Sequence, residues 1–125
     1  MERKTIPTSH SFGDQFGYSR AVRVGNHIHV AGTVARPPHD QGDAYEQAKG
    51  ALAIIATALD DAGGSLSDVV RTVVYITGID HAEGVTRAHG EVFGTIKPAS
   101  TLVAIAALLK PHLVVEIEAY AILSE

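Results

Sequence analysis

Two carboxylates stand two positions apart in the apolar stretch HLVVEIEAYAIL, residues 112–123. Side chains alternate between the two faces of a β-strand, so Glu116 and Glu118 point the same way and lie roughly 7 Å apart. A carboxylate pair of this kind can position a water molecule or act as general acid and base. It can also be structural, with one carboxylate paired to an arginine across the sheet and the other in solvent. The residues alone leave both interpretations open.

Three histidines offer further chemistry. His27 and His29 share one face of a predicted strand, and imidazoles at i and i+2 can converge on zinc. No third ligand stands at a suggestive spacing, so exposed histidines on a hairpin are the favoured interpretation and no metal site is predicted. Helix periodicity points His89 inward, either toward a pocket or into the core. No G-x-S-x-G elbow surrounds Ser100, which argues against a serine hydrolase.

Composition limits the class of protein. The 125 residues, 46% of them hydrophobic, suit a single domain over 1–125. There is no apolar run of about 18 residues and no apolar core of the secretory kind at the N-terminus, so we expect a cytoplasmic protein without a membrane partner. The absence of cysteine excludes disulfides, thiol nucleophiles and thiolate metal sites. A formal charge of -4 without a basic stripe disfavours nucleic acid as a partner.

The chain alternates between strand and helix signals. Gly25-Asn26 separates two alternating β-rich runs, which predicts a hairpin. Asp43 and Glu46 form an N-cap and capping-box pair ahead of a helix of about twenty residues that stops at Gly63-Gly64. Residues 1–17 are expected to form an arm or edge element. Further predicted elements are a strand over about 69–77, a helix over about 80–93, an apolar strand over 101–109 and the final strand over 112–123.

The resulting order, β-β-α-β-α-β-β, describes one α+β sheet with two helices as connections. Right-handed crossovers place both helices on the same face of the sheet. Because the strand over 101–109 is apolar on both faces, the other face would expose a large apolar patch in a monomer. We therefore expect a homo-oligomer that packs sheet against sheet, with a small-molecule site between subunits.

Four stretches, in order and spacing, resemble the RidA/YjgF family of reactive-intermediate deaminases, which also carries the older labels endoribonuclease L-PSP and translation inhibitor. They are GYSRAVRVGNHIHVAGTV, AGGSLSDVVRTVVYITGID, HGEVFGTIKPAS and VVEIEAYA, within about residues 17–121. The resemblance implies a chorismate-mutase-like subunit and a homotrimer with three clefts between subunits. It also implies hydrolysis of imines or enamines left by amino-acid-degrading enzymes, without a metal or organic cofactor.

The same resemblance assigns roles to residues. Glu116 matches the glutamate that holds the attacking water, and Tyr18 matches a tyrosine that lines the pocket. Gly32 matches the glycine of the second strand and, with the adjoining Thr33, is predicted to contact substrate. The family's deaminases place an arginine directly after PA, where it clamps the substrate carboxylate by a bidentate pairing. Here that residue is Ser100, which cannot neutralise a carboxylate.

Other positions depart from the deaminase pattern too. Thr86 stands where an asparagine is common and His89 where a tyrosine is common. Arg20 stands where a glutamine is common, and on an extended segment it shares a face with Tyr18. We expect Arg20 to supply the anion-binding charge that Ser100 lacks. The sequence is identified as a divergent branch of the family without the deaminase arginine.

Three functions follow from these observations. The first is a cofactor-free hydrolase or deaminase of reactive imines or enamines with an altered substrate. The alternative is a homotrimer that binds or senses a small molecule without turnover, which Ser100 favours. A ribonuclease or translation inhibitor is the least favoured, because the chain is acidic.

Overall fold

The structure, a computed structural model, describes residues 2–124. They form one mixed sheet with three α-helices. The strands are β1 (Arg3–Ile6), β2 (Ala21–Val24), β3 (His27–Thr33), β4 (Val69–Ile76), β5 (Ala99–Ala104) and β6 (Val115–Ile122). The helices are α1 (Phe12–Phe16), α2 (Ala44–Asp61) and α3 (Ala82–Phe93), with short 3-10 turns at His39–Gln41, Leu66–Asp68 and Ile79–His81.

The sheet has the strand order β1-β2-β3-β6-β4-β5. Neighbouring strands are antiparallel except β4 and β5, which α3 connects in parallel. The predicted α+β order, with the Gly25-Asn26 hairpin, is confirmed. The N-terminal arm adds two elements, the edge strand β1 and the five-residue α1, so residues 2–124 contain three α-helices where two were predicted.

Both long helices form where the sequence predicts them. The side chain of Asp43 accepts a hydrogen bond from the backbone N–H of Glu46 at 2.9 Å, which confirms the N-cap of α2. The carboxylate of Glu46 lies 3.8 Å from Nδ1 of His39. Gly63, with φ of 90°, supplies the left-handed residue after α2. α3 begins at Ala82, slightly later than predicted, because the preceding residues form a 3-10 turn.

The prediction of a strand over 101–109 is wrong in its bounds. β5 covers Ala99–Ala104, and all six residues are exposed. Within residues 2–124 β5 pairs with β4 alone, and β4 ends at Ile76, whose carbonyl accepts the backbone N–H of Ile105 at 2.7 Å. No strand of this described part pairs with the chain beyond that point, so the remaining apolar residues run on as a loop. β5 is therefore a short, exposed edge strand.

α2 and α3 pack against one face of the sheet. In β6 the buried residues alternate with the half-buried Glu116, Glu118 and Tyr120, which point to the opposite, uncovered face. The core between helices and sheet contains Ile28, Val30, Leu52, Ile55, Leu59, Val74, Ile76, Val85, Phe93, Val115 and Ile117. No helix within residues 2–124 is long and apolar enough to cross a membrane.

The uncovered face, called here the open face, is more polar than predicted. Valines lie beside ionisable groups on it, since Val22 pairs with His29 and Val73 pairs with Glu118. Val103 of β5, on the same face, is 40% exposed. The face is therefore a mixed surface rather than the uniform apolar patch that the sequence led us to expect.

Candidate functional site

Glu116 lies on the open face of β6, opposite Tyr75 of β4. Its side chain packs so closely on Gly32 of β3 that a Cβ at position 32 would overlap Oε1 of the carboxylate. Burial raises the pKa of Glu116, the nearby carboxylate of Glu118 raises it further, and Arg20 partly opposes both. The result is a half-buried carboxylate whose pKa lies above its ordinary value, a property typical of groups that transfer protons.

Irregular pairing of β3 shapes the backbone beside Glu116. The register between β3 and β6 shifts between Val30 and Thr33. Thr33 is fully buried, and its hydroxyl donates to the carbonyl of Ala31 at 2.7 Å. This hydroxyl helps fix the bulge that brings Gly32 against Glu116. The structure thus places Gly32 and its neighbour Thr33 at the bulge beside Glu116.

Arg20 supports this cluster by bonding to the backbone of the bulge. Its Nη2 donates to the carbonyls of Ala31 and Gly32 at 2.9 and 2.8 Å. The residue is only 7% exposed, and its Nε is buried without a hydrogen-bond partner. Burial lowers the pKa of Arg20, which Tyr18 and Glu116 oppose and Arg36 reinforces. One guanidinium nitrogen is therefore committed to the backbone that supports Glu116.

Tyr18 lies to one side of the Glu116 cluster. Gly17, with φ of 88°, ends α1 and turns the chain so that the Tyr18 ring meets Phe12 and Phe16 edge-on. Tyr18 also lines a cavity of about 480 Å³ on the open face. Glu118, rather than Glu116, borders that cavity, and it accepts a hydrogen bond from the Tyr75 hydroxyl at 2.5 Å. The cavity is further lined by His29, Arg71, Val73 and Tyr120.

A second cluster lies on the helix-covered side of the sheet. Thr72 of β4 is fully buried, and its hydroxyl donates to Oγ of Ser100 on β5 at 2.7 Å. Nε2 of His89 on α3 lies 2.8 Å from the same threonine oxygen. Burial lowers the pKa of His89. Ser100 and His89 are thus linked through a buried threonine.

Thr86 is exposed and lies three residues before His89 on α3, so the two residues are neighbours on the helix surface. Within one protomer the two clusters do not meet. Ser100 and Glu116 lie on strands separated by β4, so they are roughly 10 Å apart across the strands. They are also offset along the strands, because Ser100 pairs with Thr72 and Glu116 pairs with Tyr75, and they face opposite sides of the sheet. Apart from Tyr18, the predicted site residues therefore form two half-sites. The Glu116 half-site contains Arg20, Gly32, Thr33 and Glu116, and the Ser100 half-site contains Thr86, His89 and Ser100, to which the structure adds Thr72.

The histidines weighed as zinc ligands have other neighbours. Tyr120 stacks against His29 with ring centroids 4.6 Å apart and against His27 at 5.7 Å. Nδ1 of His27 also contacts the Tyr120 hydroxyl. Among residues 2–124 there is no group of three or more His, Asp or Glu side chains arranged to hold a metal ion.

Comparison with known proteins places this geometry in a family. A sequence profile described as endoribonuclease L-PSP matches residues 8–123. A crystal structure from Mycobacterium tuberculosis, described as a member of the YjgF/YER057c/UK114 family, superposes with a TM-score of 0.91 at 40% identity, covering 98% of this chain and 100% of that one. The chain belongs to the YjgF/RidA family.

Relatives in the YjgF/RidA family carry different names. A RutC family protein of Pyrococcus abyssi is 38% identical over 108 residues, which cover 83% of this chain and 84% of the relative. The human 2-iminobutanoate/2-iminopropanoate deaminase is 32% identical over 124 residues, which cover 96% and 90%. The resemblance seen in the sequence is therefore confirmed at the level of the family and its fold.

Thr72 is the main residue of the two half-sites that sequence reasoning missed. A signal was present, because Thr72 alternates with Val74 and Ile76 on the buried face of a strand, where a hydroxyl needs a partner. Its partners come from a helix 17 residues away and a strand 28 residues away. The sequence could not identify these partners, because it does not show that Thr72 pairs with Ser100 across β4 and β5.

Proposed function

We propose that this YjgF/RidA protein is a homotrimeric hydrolase of reactive imines or enamines that works without a cofactor. In this reaction water adds to the carbon of the C=N bond, and the nitrogen leaves as ammonia while a carbonyl remains. One water is consumed for each ammonia and each carbonyl formed. The name of the human relative supports this reaction class, and the chemistry of Glu116 supports it independently.

The observation that carries the proposal is the half-buried Glu116 carboxylate held against Gly32 with a raised pKa. In its ionised form Glu116 accepts a proton from water as the oxygen attacks the imine carbon. It then returns that proton to the nitrogen. The hydroxyl of the resulting carbinolamine gives up the second proton to the nitrogen as the carbonyl forms, and the C–N bond breaks to release ammonia. A pKa raised toward neutrality suits both steps, because one group must take and release a proton at the same pH.

Arg20 has a supporting part in this proposal. Its two hydrogen bonds hold the carbonyls of Ala31 and Gly32, so it fixes the surface on which Glu116 lies. Its positive charge also limits the rise in the pKa of Glu116. Contact between Arg20 and an anionic ligand stays a prediction, because Nη2 is bonded to the backbone and Nε is buried.

The separation of the half-sites supports the proposed assembly. β5 is an exposed edge strand carrying Ser100, while Glu116 and the 480 Å³ cavity lie on the open face, which neither α2 nor α3 covers. A second copy placed against these surfaces would cover the open face and bring its Ser100 half-site to the Glu116 half-site of its neighbour. We propose that three copies do this in a ring, so that each site needs two protomers.

Ammonia release tests the proposed reaction. Imines generated in the assay by an amino-acid oxidase or an amine oxidase should lose ammonia faster with the protein than without it. Glu116→Gln should abolish the acceleration, whereas Glu83→Gln, an exposed glutamate on α3, should keep it. Acceleration that persists in Glu116→Gln would contradict the assigned role, and no acceleration with any imine would contradict the hydrolase.

The alternative is a trimer that binds a small molecule without turnover. Ser100 favours it, because a serine stands where the family's deaminases place the arginine that clamps the substrate. A ligand bound only by the native state raises the melting temperature. Thermal stabilisation by a small compound, with unchanged compound after long incubation, would support this function. A ribonuclease has less support, since the chain carries a formal charge of -4.

A further inference from the structure

The hydrogen bonds of the Ser100 half-site have a direction. Thr72 has one hydroxyl proton and donates it to Oγ of Ser100, so its oxygen accepts from Nε2–H of His89. Ser100 then keeps its own proton, and its residue is exposed at the edge of β5. The chain from His89 through Thr72 to Ser100 therefore ends in an outward hydroxyl donor. Successive hydrogen bonds polarise one another, which strengthens that last donor.

None of the three groups carries a charge near neutral pH. Thr72 and Ser100 do not ionise, and burial lowers the pKa of His89 below its ordinary value of 6.5. The His89 ring packs on Phe93 with centroids 4.7 Å apart, which leaves an imidazolium poorly solvated. The half-site thus presents a neutral donor.

Two arginines that could supply a positive charge to Ser100 have other partners. Arg71 donates to the hydroxyl of Thr101, one residue after Ser100 and therefore on the other face of β5. Arg20 is 7% exposed and holds the backbone of β3. Lys97 is exposed and stands three residues before Ser100. Lys97 is thus the cation whose contribution an experiment must separate from that of Ser100.

We infer that the Ser100, Thr72 and His89 chain selects an uncharged acceptor atom on the substrate, so the preferred imines or enamines lack a carboxylate beside the reacting carbon. The inference rests on the proposed hydrolase and narrows its substrate class. A carboxylate loses its hydration on entering such a site, and one neutral hydroxyl returns less than a bidentate arginine does. A ketone oxygen, an amide oxygen or the imine nitrogen loses less hydration and accepts the same bond.

Two imines with the same side chain separate the two substrate classes. An L-amino-acid oxidase acting on leucine gives an imine with a carboxylate, and an amine oxidase acting on 3-methylbutylamine gives the matching imine without one. We expect the wild-type protein to accelerate ammonia release from the uncharged imine by a factor at least about tenfold larger, because a missing ionic anchor costs on the order of 1.4 kcal/mol or more. An equal or larger factor for the carboxylate imine would overturn the inference and leave the hydrolase standing.

Variants of the hydrogen-bonded residues test whether they cause the preference for the uncharged imine. Ser100→Arg should reverse it, and Thr72→Val should lower the rate on the uncharged imine by several-fold to about tenfold, the loss expected for one hydrogen bond. Thr95→Val, an exposed position, is the control and should change nothing. Thr72 is buried, so melting curves must show that Thr72→Val is folded, and Ser100→Ala gives a second test at an exposed position. An unchanged preference in both Ser100→Arg and Ser100→Ala would overturn the inference.

Ligand binding tests the preference for an uncharged acceptor even if the protein releases no ammonia. 4-Methylpentanamide should raise the melting temperature, whereas 4-methylpentanoate at the same concentration should raise it less. The amide preference should disappear in Ser100→Arg. Stronger stabilisation by the carboxylate would overturn the inference, and loss of that stabilisation in Lys97→Met would show that Lys97 supplies the charge.

Discussion

The two half-sites are built in opposite ways. Around Glu116 the backbone does the positioning, since a bulge in β3 presents Gly32 to the carboxylate and Arg20 holds the carbonyls from behind. Around Ser100 side chains do it, through a buried threonine that links a helix to an edge strand. The first half-site contains a carboxylate and a guanidinium, which carry opposite charges, and the second contains only groups that are neutral near pH 7. One half is therefore suited to moving protons and the other to recognising the substrate.

The largest effect should come from the proton-transfer half. We expect Glu116→Gln to lower enzyme-dependent ammonia release by about 10²-fold or more, the range for loss of a general acid or base. Glutamine keeps the size and one hydrogen-bonding oxygen but cannot take a proton. Steady-state rates on an uncharged imine measure the change, with Glu83→Gln beside it. A fall of only a few-fold in the rate of ammonia release would contradict the role of Glu116 in proton transfer.

Gly32→Ala tests how the backbone positions Glu116. A methyl group at position 32 overlaps Oε1 of Glu116, and the carboxylate end can rotate away. We expect activity to fall by about tenfold or more, since small misplacements of a catalytic group are costly, while the melting temperature changes little.

Gly90→Ala is the matched control. A methyl group there meets no atom within 4 Å, and Gly90 lies inside α3. It should stabilise the protein by about 0.5–1 kcal/mol and leave activity unchanged. Full activity in Gly32→Ala would contradict the role of the close contact.

The pH dependence of stability should have opposite signs in the two half-sites. The folded state raises the pKa of Glu116, so its contribution falls as pH rises from about 4.5 through the folded pKa. The folded state lowers the pKa of His89, so its contribution falls as pH drops from about 6.5 through the folded pKa. Denaturation of Glu116→Gln and His89→Gln across this range should remove one slope each. If the free energy of unfolding depends on pH in the same way in both variants and the wild type, the two half-sites do not have opposite effects.

Charged neighbours of Glu116 should have a smaller effect, through its pKa. Glu118 raises the pKa of Glu116, so Glu118→Gln should move the acid limb of the rate profile to lower pH. Arg20→Gln should move it in the other direction, because Arg20 lowers the same pKa. The expected shifts are on the order of one pH unit or less. Limbs that move together, or not at all, would show that neither neighbour sets the pKa of Glu116.

Much of the fold was predictable because its signals are local. The Gly25-Asn26 turn, the Asp43 cap and the alternation of β6 each act within a few residues, and each is confirmed. The end of β5 was not predictable in this way. It depends on where β4 stops, so the apolar residues after Ala104 could not reveal that they lack a partner.

The site was predictable in parts. Strand alternation placed Glu116 on the open face, and the family resemblance directed attention to Gly32, but the contact between them arises from a bulge that no local pattern signals. Helix periodicity pointed His89 inward, yet its partner Thr72 lies in another element. Burial of Arg20 was also unforeseen, because an arginine after a polar segment is usually solvated.

Subunit mixing tests most directly the claim that each site combines the Glu116 half of one protomer with the Ser100 half of the next. Two inactive variants, Glu116→Gln and the sterically blocked Ser100→Trp, are unfolded together and refolded as a mixture, and ammonia release is measured at equal total protein. A ring of three that contains both variants has one site with an intact glutamate and an intact serine. We predict that the mixture regains activity that neither variant shows alone, whereas a mixture of assembled, folded protein that stays inactive would contradict the shared site.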